Sequence, residues 1–369
     1  MRVLNCIPTL ESGGAERQVC YLARALSSRG VDVHVALLRG GANWDRARDS
    51  GASVHVLPHR GHHDPALLLA LLRLMGRLRP DVVQTWLPQM DVLAGVAAVL
   101  RGVPLVLSER SSAPAYRPTW KNRLRRRLGA RAAGIVANSE GGARYWEGIA
   151  PAVRITVIRN VVPVEEIRGT APAGRAALGL DEGAELVLYV GRYSYEKNMP
   201  TLLEALGRVV AARPRAVALL HGDGPEKDAV AALAALAGTG GRIRVGDLAP
   251  DAWALMRAAQ VFVSVSDFEG SPNAVLEAAG SGCPLVLSDI PSHRELFDEG
   301  SAWLVPPRSA EAIAAAVEAV LSDPGRARRM AEAAARVVMG ATDAAISDQY
   351  LRVYSQVAGS RPAAPSGRT

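Results

Sequence analysis

The sequence predicts an α/β protein built from two doubly wound parallel sheets, and three observations carry that prediction. Short β-rich apolar runs alternate with helical runs along most of the chain, glycine-rich turns follow several of the strand-like runs, and a softer stretch rich in Gly, Pro and Ala, 162–184, separates two series of such units. Ligands of such sheets bind at the carboxyl ends of the strands, so the informative residues should lie just after each strand.

In the first series RVLNCI (2–7) reads as a buried strand, AERQVCYLARALSSRG (15–30) as a helix and DVHVALL (32–38) as the next strand; DVVQTW (81–86), PLVLSE (104–109) and GIVANS (134–139) continue the strands. The second series runs ELVLYVG (185–191), MPTLLEALGRVVAARP (199–214), AVALLHG (216–222), PEKDAVAALAALA (225–237), RIRVG (242–246) and a strand, corner and helix over 261–288. The expected domains are 1–163 and 164–343, facing each other across a cleft, with a C-terminal helix at about 344–357 packing back on the first. Residues 358–369 have the composition of a disordered end.

At 369 residues and 49% hydrophobic content the chain can bury two cores. Its longest uncharged apolar stretches, such as VLAGVAAVL (92–100), fall far short of the roughly 20 residues of a membrane helix. The opening MRVLNCIPTL reads as a first strand rather than a leader. Cys6, Cys20 and Cys283 show no CxxC pairing and read as core thiols of a reducing compartment.

Charge is divided unevenly. Residues 1–163 carry 23 Lys and Arg against 11 Asp and Glu, whereas 164–369 carry 20 against 25. The densest basic piece, YRPTWKNRLRRRLGARA (116–132), contains no acid and spaces Trp120, Leu124 and Leu128 by four. It reads either as a basic amphipathic helix with Arg123, Arg125, Arg126 and Arg127 toward an anionic membrane surface, or as a solvated helix whose apolar stripe packs on its own domain. No recognition motif accompanies it, so nucleic acid is not an expected partner.

At the strand ends, Gly13 and Gly14 in PTLESGGAERQ (8–18) permit close backbone approach at a helix N-terminus, but this is not a GxGxxG fingerprint. GRYSYEKNMP (191–200) offers Arg192 and Lys197 as a diphosphate clamp. HGDGPEK (221–227), with Gly222 and Gly224, and VGDL (245–248) are further Gly-containing turns, and His221 reads as structural. In EGSPNAVLE (269–277), Glu269 precedes a corner with Ser271 as N-cap and Pro272 as first helical residue, and Glu277 lies inside the helix. The two glutamates either complement the helix dipole or face one crevice. HRGHHD (59–64) lacks helical ligand spacing, so no metal site is expected, and no hydrolase nucleophile arrangement stands out.

Assembled, these residues make the chain resemble the retaining glycosyltransferases of family 4, which have the two-domain GT-B fold. The resemblance spans nearly the full length through SGGAERQ, NSEGGARYW, VIRN, GRYSYEKN, HGDGP and EGSPNAVLEAAGSGCPLVLSD, and the E-x7-E element is its most specific part. It implies that Glu269 faces the transferred sugar and Glu277 holds the ribose hydroxyls, with the Gly270–Ser271–Pro272–Asn273 backbone on sugar hydroxyls. It further implies that Arg192 and Lys197 neutralise the leaving diphosphate, that the Gly13–Gly14 loop closes on it, and that the nucleotide sugar is a cosubstrate with no other cofactor and no metal.

Two departures matter. Many relatives carry a histidine where this chain has LSERSS (107–112), so Glu109 and Arg110, with Trp86, stand as acceptor-side candidates without that histidine's contact. The NG often seen after the second linker strand reads Asn160-Val161. The Ser-Glu-Arg variant resembles transferases of surface polysaccharide or lipid-linked oligosaccharide synthesis, which implies a glycan or lipid-linked acceptor and a cytoplasmic enzyme peripheral to the inner face of the membrane. A UDP-sugar donor is favoured over a GDP-sugar. Rival readings are a nucleotide-sugar 2-epimerase of similar fold and an inactive sugar-binding scaffold.

Overall fold

The computed structural model describes residues 1–58, 64, 66–236, 238–249 and 251–359. The chain divides into two compact units: Met1–Val161 together with the segment from Asp343 onward, and Val162–Thr342.

Unit 1 holds seven parallel strands, β1 (Arg2–Cys6), β2 (Asp32–Leu37), β3 (Ser53–Val56), β4 (Val82–Trp86), β5 (Leu105–Glu109), β6 (Gly134–Ala137) and β7 (Ile155–Val157), in the order β3-β2-β1-β4-β5-β6-β7. The order reverses between β1 and β4, which is where a doubly wound sheet opens a crevice at its carboxyl ends. Alternation of side chains sends Val3, Val35 and Val106 to one face and Leu4, Ala36 and Leu107 to the other, so both faces are apolar and both are covered.

The helix Asp343–Gly359 covers the first face. Ile346, Tyr350, Val353, Tyr354 and Val357 form its buried stripe, the Tyr354 hydroxyl donates to Gln84 Oε1 in β4, and Arg24 pairs with Asp343 at 2.7 Å. Ala358 and Gly359 end this helix, and the rest of the expected disordered end lies outside the described residues. So does most of the 59–64 histidine loop.

Unit 2 repeats the plan with β8 (Glu185–Val190), β9 (Ala216–His221), β10 (Ile243–Gly246), β11 (Val261–Ser264), β12 (Leu285–Ser288) and β13 (Trp303–Val305), in the order β10-β9-β8-β11-β12-β13. Its reversal falls between β8 and β11. The soft stretch 162–184 is not a free linker: Val162, Val164, Ile167 and Leu180 are buried in this unit's core, and the methyls of Ile167 and Val162 lie 3.4 Å from where a Cβ on Gly280 would stand.

Three strands went unread in the strand-and-helix pattern. β3, β7 and β13 are outer strands of their sheets, three or four residues long and only partly buried, so they lack the continuous apolar run that marks the inner ones; β10, the fourth outer strand, was read from RIRVG.

Candidate active site

The turn leaving β8 is held by its neighbours before it offers anything to a ligand. Gly191 donates its N–H to His221 O at 3.0 Å and Tyr193 to Asp223 O at 2.9 Å. The buried Tyr193 hydroxyl lies 2.8 Å from Leu220 O and 3.1 Å from Gly246 O, and the Tyr189 hydroxyl donates to Arg192 O at 2.9 Å. The backbones run so close that a Cβ on Gly222 would stand 1.9 Å from Gly191 O. One on Gly224, whose φ is +154°, would stand 2.3 Å from Tyr193 O. Both glycines of HGDG are therefore required by chain packing, whatever else they contact.

On that fixed turn the Arg192 guanidinium is exposed and makes no hydrogen bond or ion pair among the described residues. Lys197 instead reaches across the switch point. Its ammonium donates to Glu269 Oε1, in the loop after β11, and Ser266 Oγ donates to the same oxygen at 2.7 Å. The side chains of Lys197 and Glu269 are 18% and 11% exposed, sheltered yet reachable. Burial pushes the Glu269 carboxyl up, but the Lys197 charge and hydrogen bond, Ser266 and the nearby His293 outweigh it and hold the group below its usual range. Glu269 is an anion at neutral pH, in contact with a cation.

The helix that follows spans Asn273–Ser281 and its N-cap is Pro272, not Ser271. Pro272 has ψ of 85°, outside the helical range, which shifts the start one residue onward and leaves the cap without a side-chain hydrogen bond. Glu277 is buried on this helix and its Oε2 accepts from Trp253 Nε1 at 3.1 Å. Sequence reasoning brought Arg192, Lys197, Glu269 and Glu277 forward and missed Ser266, Trp253 and His293. His293, five residues past the end of β12, could have been found by the same strand-end rule. It is fully buried, its Nδ1 lies 2.8 Å from Ser288 O, and its Nε2 has no partner among the described residues. Burial lowers its pKa against the pull of Glu269, so the ring is neutral, with the proton assigned to Nδ1 by that hydrogen bond.

In unit 1, Gly13 is the N-cap of the helix Gly14–Ser27, and the Glu16 carboxylate crowds the same corner, 2.3 Å from where a Cβ on Gly13 would stand. An anion approaching these glycines must displace a movable carboxylate that already favours the helix N-terminus.

Three acceptor-side or surface expectations are corrected. Glu109 is fully buried and its carboxylate is already used: Oε2 accepts from Arg125 Nη2 and Trp146 Nε1, each at 2.8 Å, and Oε1 from Ser111 N at 2.9 Å and from the Tyr116 hydroxyl. Trp86 is a core side chain whose Nε1 donates to Asn5 Oδ1 at 3.0 Å. Arg125 does not face outward; it is 1% exposed and its Nε pairs with Asp91 Oδ2 at 2.6 Å. The acids that hold it come from β5 and the helix Leu87–Arg101, far away in sequence, so a count of local charge could not show them. Helix Trp120–Gly129 buries Arg125, Leu128 and Gly129, leaving Trp120 67% exposed at the margin, with Arg123, Arg126 and Arg127 outside.

The family model "Glycosyltransferase Family 4" matches residues 12–166 and "Glycosyl transferases group 1" matches 171–337. The lipopolysaccharide core biosynthesis glycosyltransferase LpsE of Rhizobium meliloti is 28% identical over 350 residues, covering 94% of this chain and 96% of LpsE. A glycogen synthase of Mycobacterium tuberculosis is 30% identical over 368 residues, covering 89% and 87%. Among solved structures, Anabaena HepE in complex with UDP and glucose is similar with a TM-score of 0.85 at 20% identity, covering 96% of this chain and 99% of HepE.

Proposed function

We propose that this chain, which belongs to the family 4 glycosyltransferases of GT-B fold, moves a sugar from a nucleoside diphosphate to a hydroxyl of a glycan or lipid-linked acceptor with retention at the anomeric carbon. One observation carries the proposal: the anionic Glu269 held by Lys197 and Ser266 at the β8/β11 switch point, with Arg192, which makes no hydrogen bond or ion pair among the described residues, on the turn after β8.

In this reading the bond from the anomeric carbon to the β-phosphate oxygen breaks, and the acceptor oxygen attacks the same face. The acceptor's proton passes to the departing phosphate oxygen. Lys197 and Arg192 stabilise the negative charge that grows on the diphosphate, and Glu269 stabilises the positive charge on the sugar ring. The chain's own cations supply this stabilisation, so the reaction proceeds without an added metal. Glu277 takes the ribose hydroxyls, and the Gly270–Asn273 backbone those of the sugar.

UDP is the favoured nucleotide because the fold relative HepE was crystallised with UDP and with UDP-glucose. Calorimetric titration with UDP and GDP tests the reading. Saturable binding of UDP, lost in Glu277→Ala, is expected; binding of neither by folded protein would return weight to an inactive scaffold.

A membrane-borne acceptor in surface polysaccharide synthesis is supported by the role of LpsE in lipopolysaccharide core biosynthesis and by the exposed Trp120 among Arg123, Arg126 and Arg127. No helix among the described residues is long and apolar enough to cross a membrane. Replacing these three arginines by Gln should weaken sedimentation with anionic liposomes by about 1 kcal/mol per charge. Unchanged partitioning would remove the membrane from the proposal.

A further inference from the structure

Two neighbouring residues at the end of β5 have opposite fates. Strand alternation turns Glu109 toward Arg125, Trp146 and Tyr116, and Arg110 toward the face that carries Ser108, Trp86 and the C-terminal helix. Glu109 is spoken for several times over. Arg110 has no carboxylate partner among the described residues: its guanidinium lies 4.4 Å above the Trp86 ring, and its polar neighbour is the Tyr350 hydroxyl of the helix Asp343–Gly359.

The Trp86 ring beneath it is fixed by its own hydrogen bond to Asn5, so the stack presents the guanidinium as a rigid fork. Both acids of the neighbourhood, Asp91 and Glu109, are committed to Arg125. The next two residues, Ser111 and Ser112, keep partly exposed side chains whose hydroxyls make no hydrogen bond among the described residues. A planar cation with no acid, followed by two uncommitted hydroxyls at the carboxyl edge of a doubly wound sheet, has the donor set of an oxyanion site. A partly buried cation without a counter-ion also stands to gain from receiving one.

We propose that Arg110, backed by Trp86 and assisted by Ser111 and Ser112, binds a phosphate group of the acceptor substrate. The inference rests on the transferase reading above, in which the donor's diphosphate has its own cations in Arg192 and Lys197; the phosphate met by Arg110 is then the second substrate's.

The experiment uses full-length protein saturated with UDP and titrated calorimetrically with inorganic pyrophosphate, and separately with glucuronate as a carboxylate control. Pyrophosphate should bind saturably. Arg110→Gln should weaken it by about tenfold or more, and Arg110→Lys, which keeps the charge and loses the fork, by less. UDP affinity should be the same in all three proteins, with matching thermal melts as the check on folding. Any of four results would overturn the proposal: no pyrophosphate binding by the UDP-saturated protein; equal binding by the Gln variant; loss of UDP affinity in that variant, which would make the donor the source; or Arg110-dependent binding of glucuronate alone. If UDP itself fails to bind, the donor reading fails. The difference between wild type and Arg110→Gln for pyrophosphate without UDP still decides whether Arg110 binds phosphate.

Discussion

Both units bury carboxylates against a cation near the carboxyl ends of their strands, and they do so to different ends. In unit 1, Asp91 and Glu109 close on Arg125, with all three side chains at most 1% exposed. In unit 2, Glu269 meets Lys197 and Ser266 with 11% of its side chain still open. The first is sealed and has donors from four directions, so it acts as a strut that ties β5 and two helices together. The second is sheltered yet still open to water, and the turn after β8 carries the exposed Arg192, so its charges are available to a substrate. The same residue types make a brace or a site according to how much water can still reach them.

Three substitutions would break or sharpen that contrast. Arg125→Ala should have the largest effect, a loss of about 3–5 kcal/mol of stability, because it strands two buried carboxylates; urea denaturation measures it, and a loss under 1 kcal/mol would deny the strut. Glu269→Gln should reverse the pattern, lowering kcat by about 10²–10³-fold with a smaller change in stability. A variant with full turnover would remove Glu269 from the chemistry.

The smallest effect is a matter of pH, and the two clusters slope in opposite directions. Burial raises the Asp91 carboxyl to about 6 despite Arg125. The folded state therefore holds the Asp91 proton more tightly than the unfolded chain, a stabilisation that is full below about pH 4 and lost as pH rises through about 6, on the order of 2–3 kcal/mol. Glu269 is lowered, so its contribution is present above its unfolded value and lost as pH falls. Denaturation midpoints of wild type and Asp91→Asn should diverge between about pH 4 and 6, with the Asn variant losing less as pH rises; parallel curves would sink the assignment.

How much of this was legible follows from where each signal is stored. The inner strands could be read because runs such as VLNC and LVLYV are apolar on both faces, whereas the outer β3, β7 and β13 could not. Arg192, Lys197 and Glu269 came forward because each follows a readable strand in the loop that leaves it, and Glu277 because it closes the E-x7-E element on the next helix. Arg125 was misread because its partners, Asp91 and Glu109, lie 34 and 16 residues away, and a run of arginines shows its local excess of charge but not the acids folded onto it. Trp253 escaped for the same reason, since its link to Glu277 spans 24 residues.

The helix Asp343–Gly359 belongs to unit 1 although it is the last described element of the chain, and this fixes the order of events during synthesis. Unit 2, Val162–Thr342, is an uninterrupted segment and has all its core residues once position 342 has left the ribosome. Unit 1 begins to emerge first and finishes last, because Val106, Val136 and Gln84 have no cover on one face until Tyr350, Tyr354 and Val357 arrive. For most of translation an early-born sheet therefore carries an open apolar face. A ribosome stalled before residue 343 would display a finished unit 2 behind an unit 1 that a chaperone can still bind.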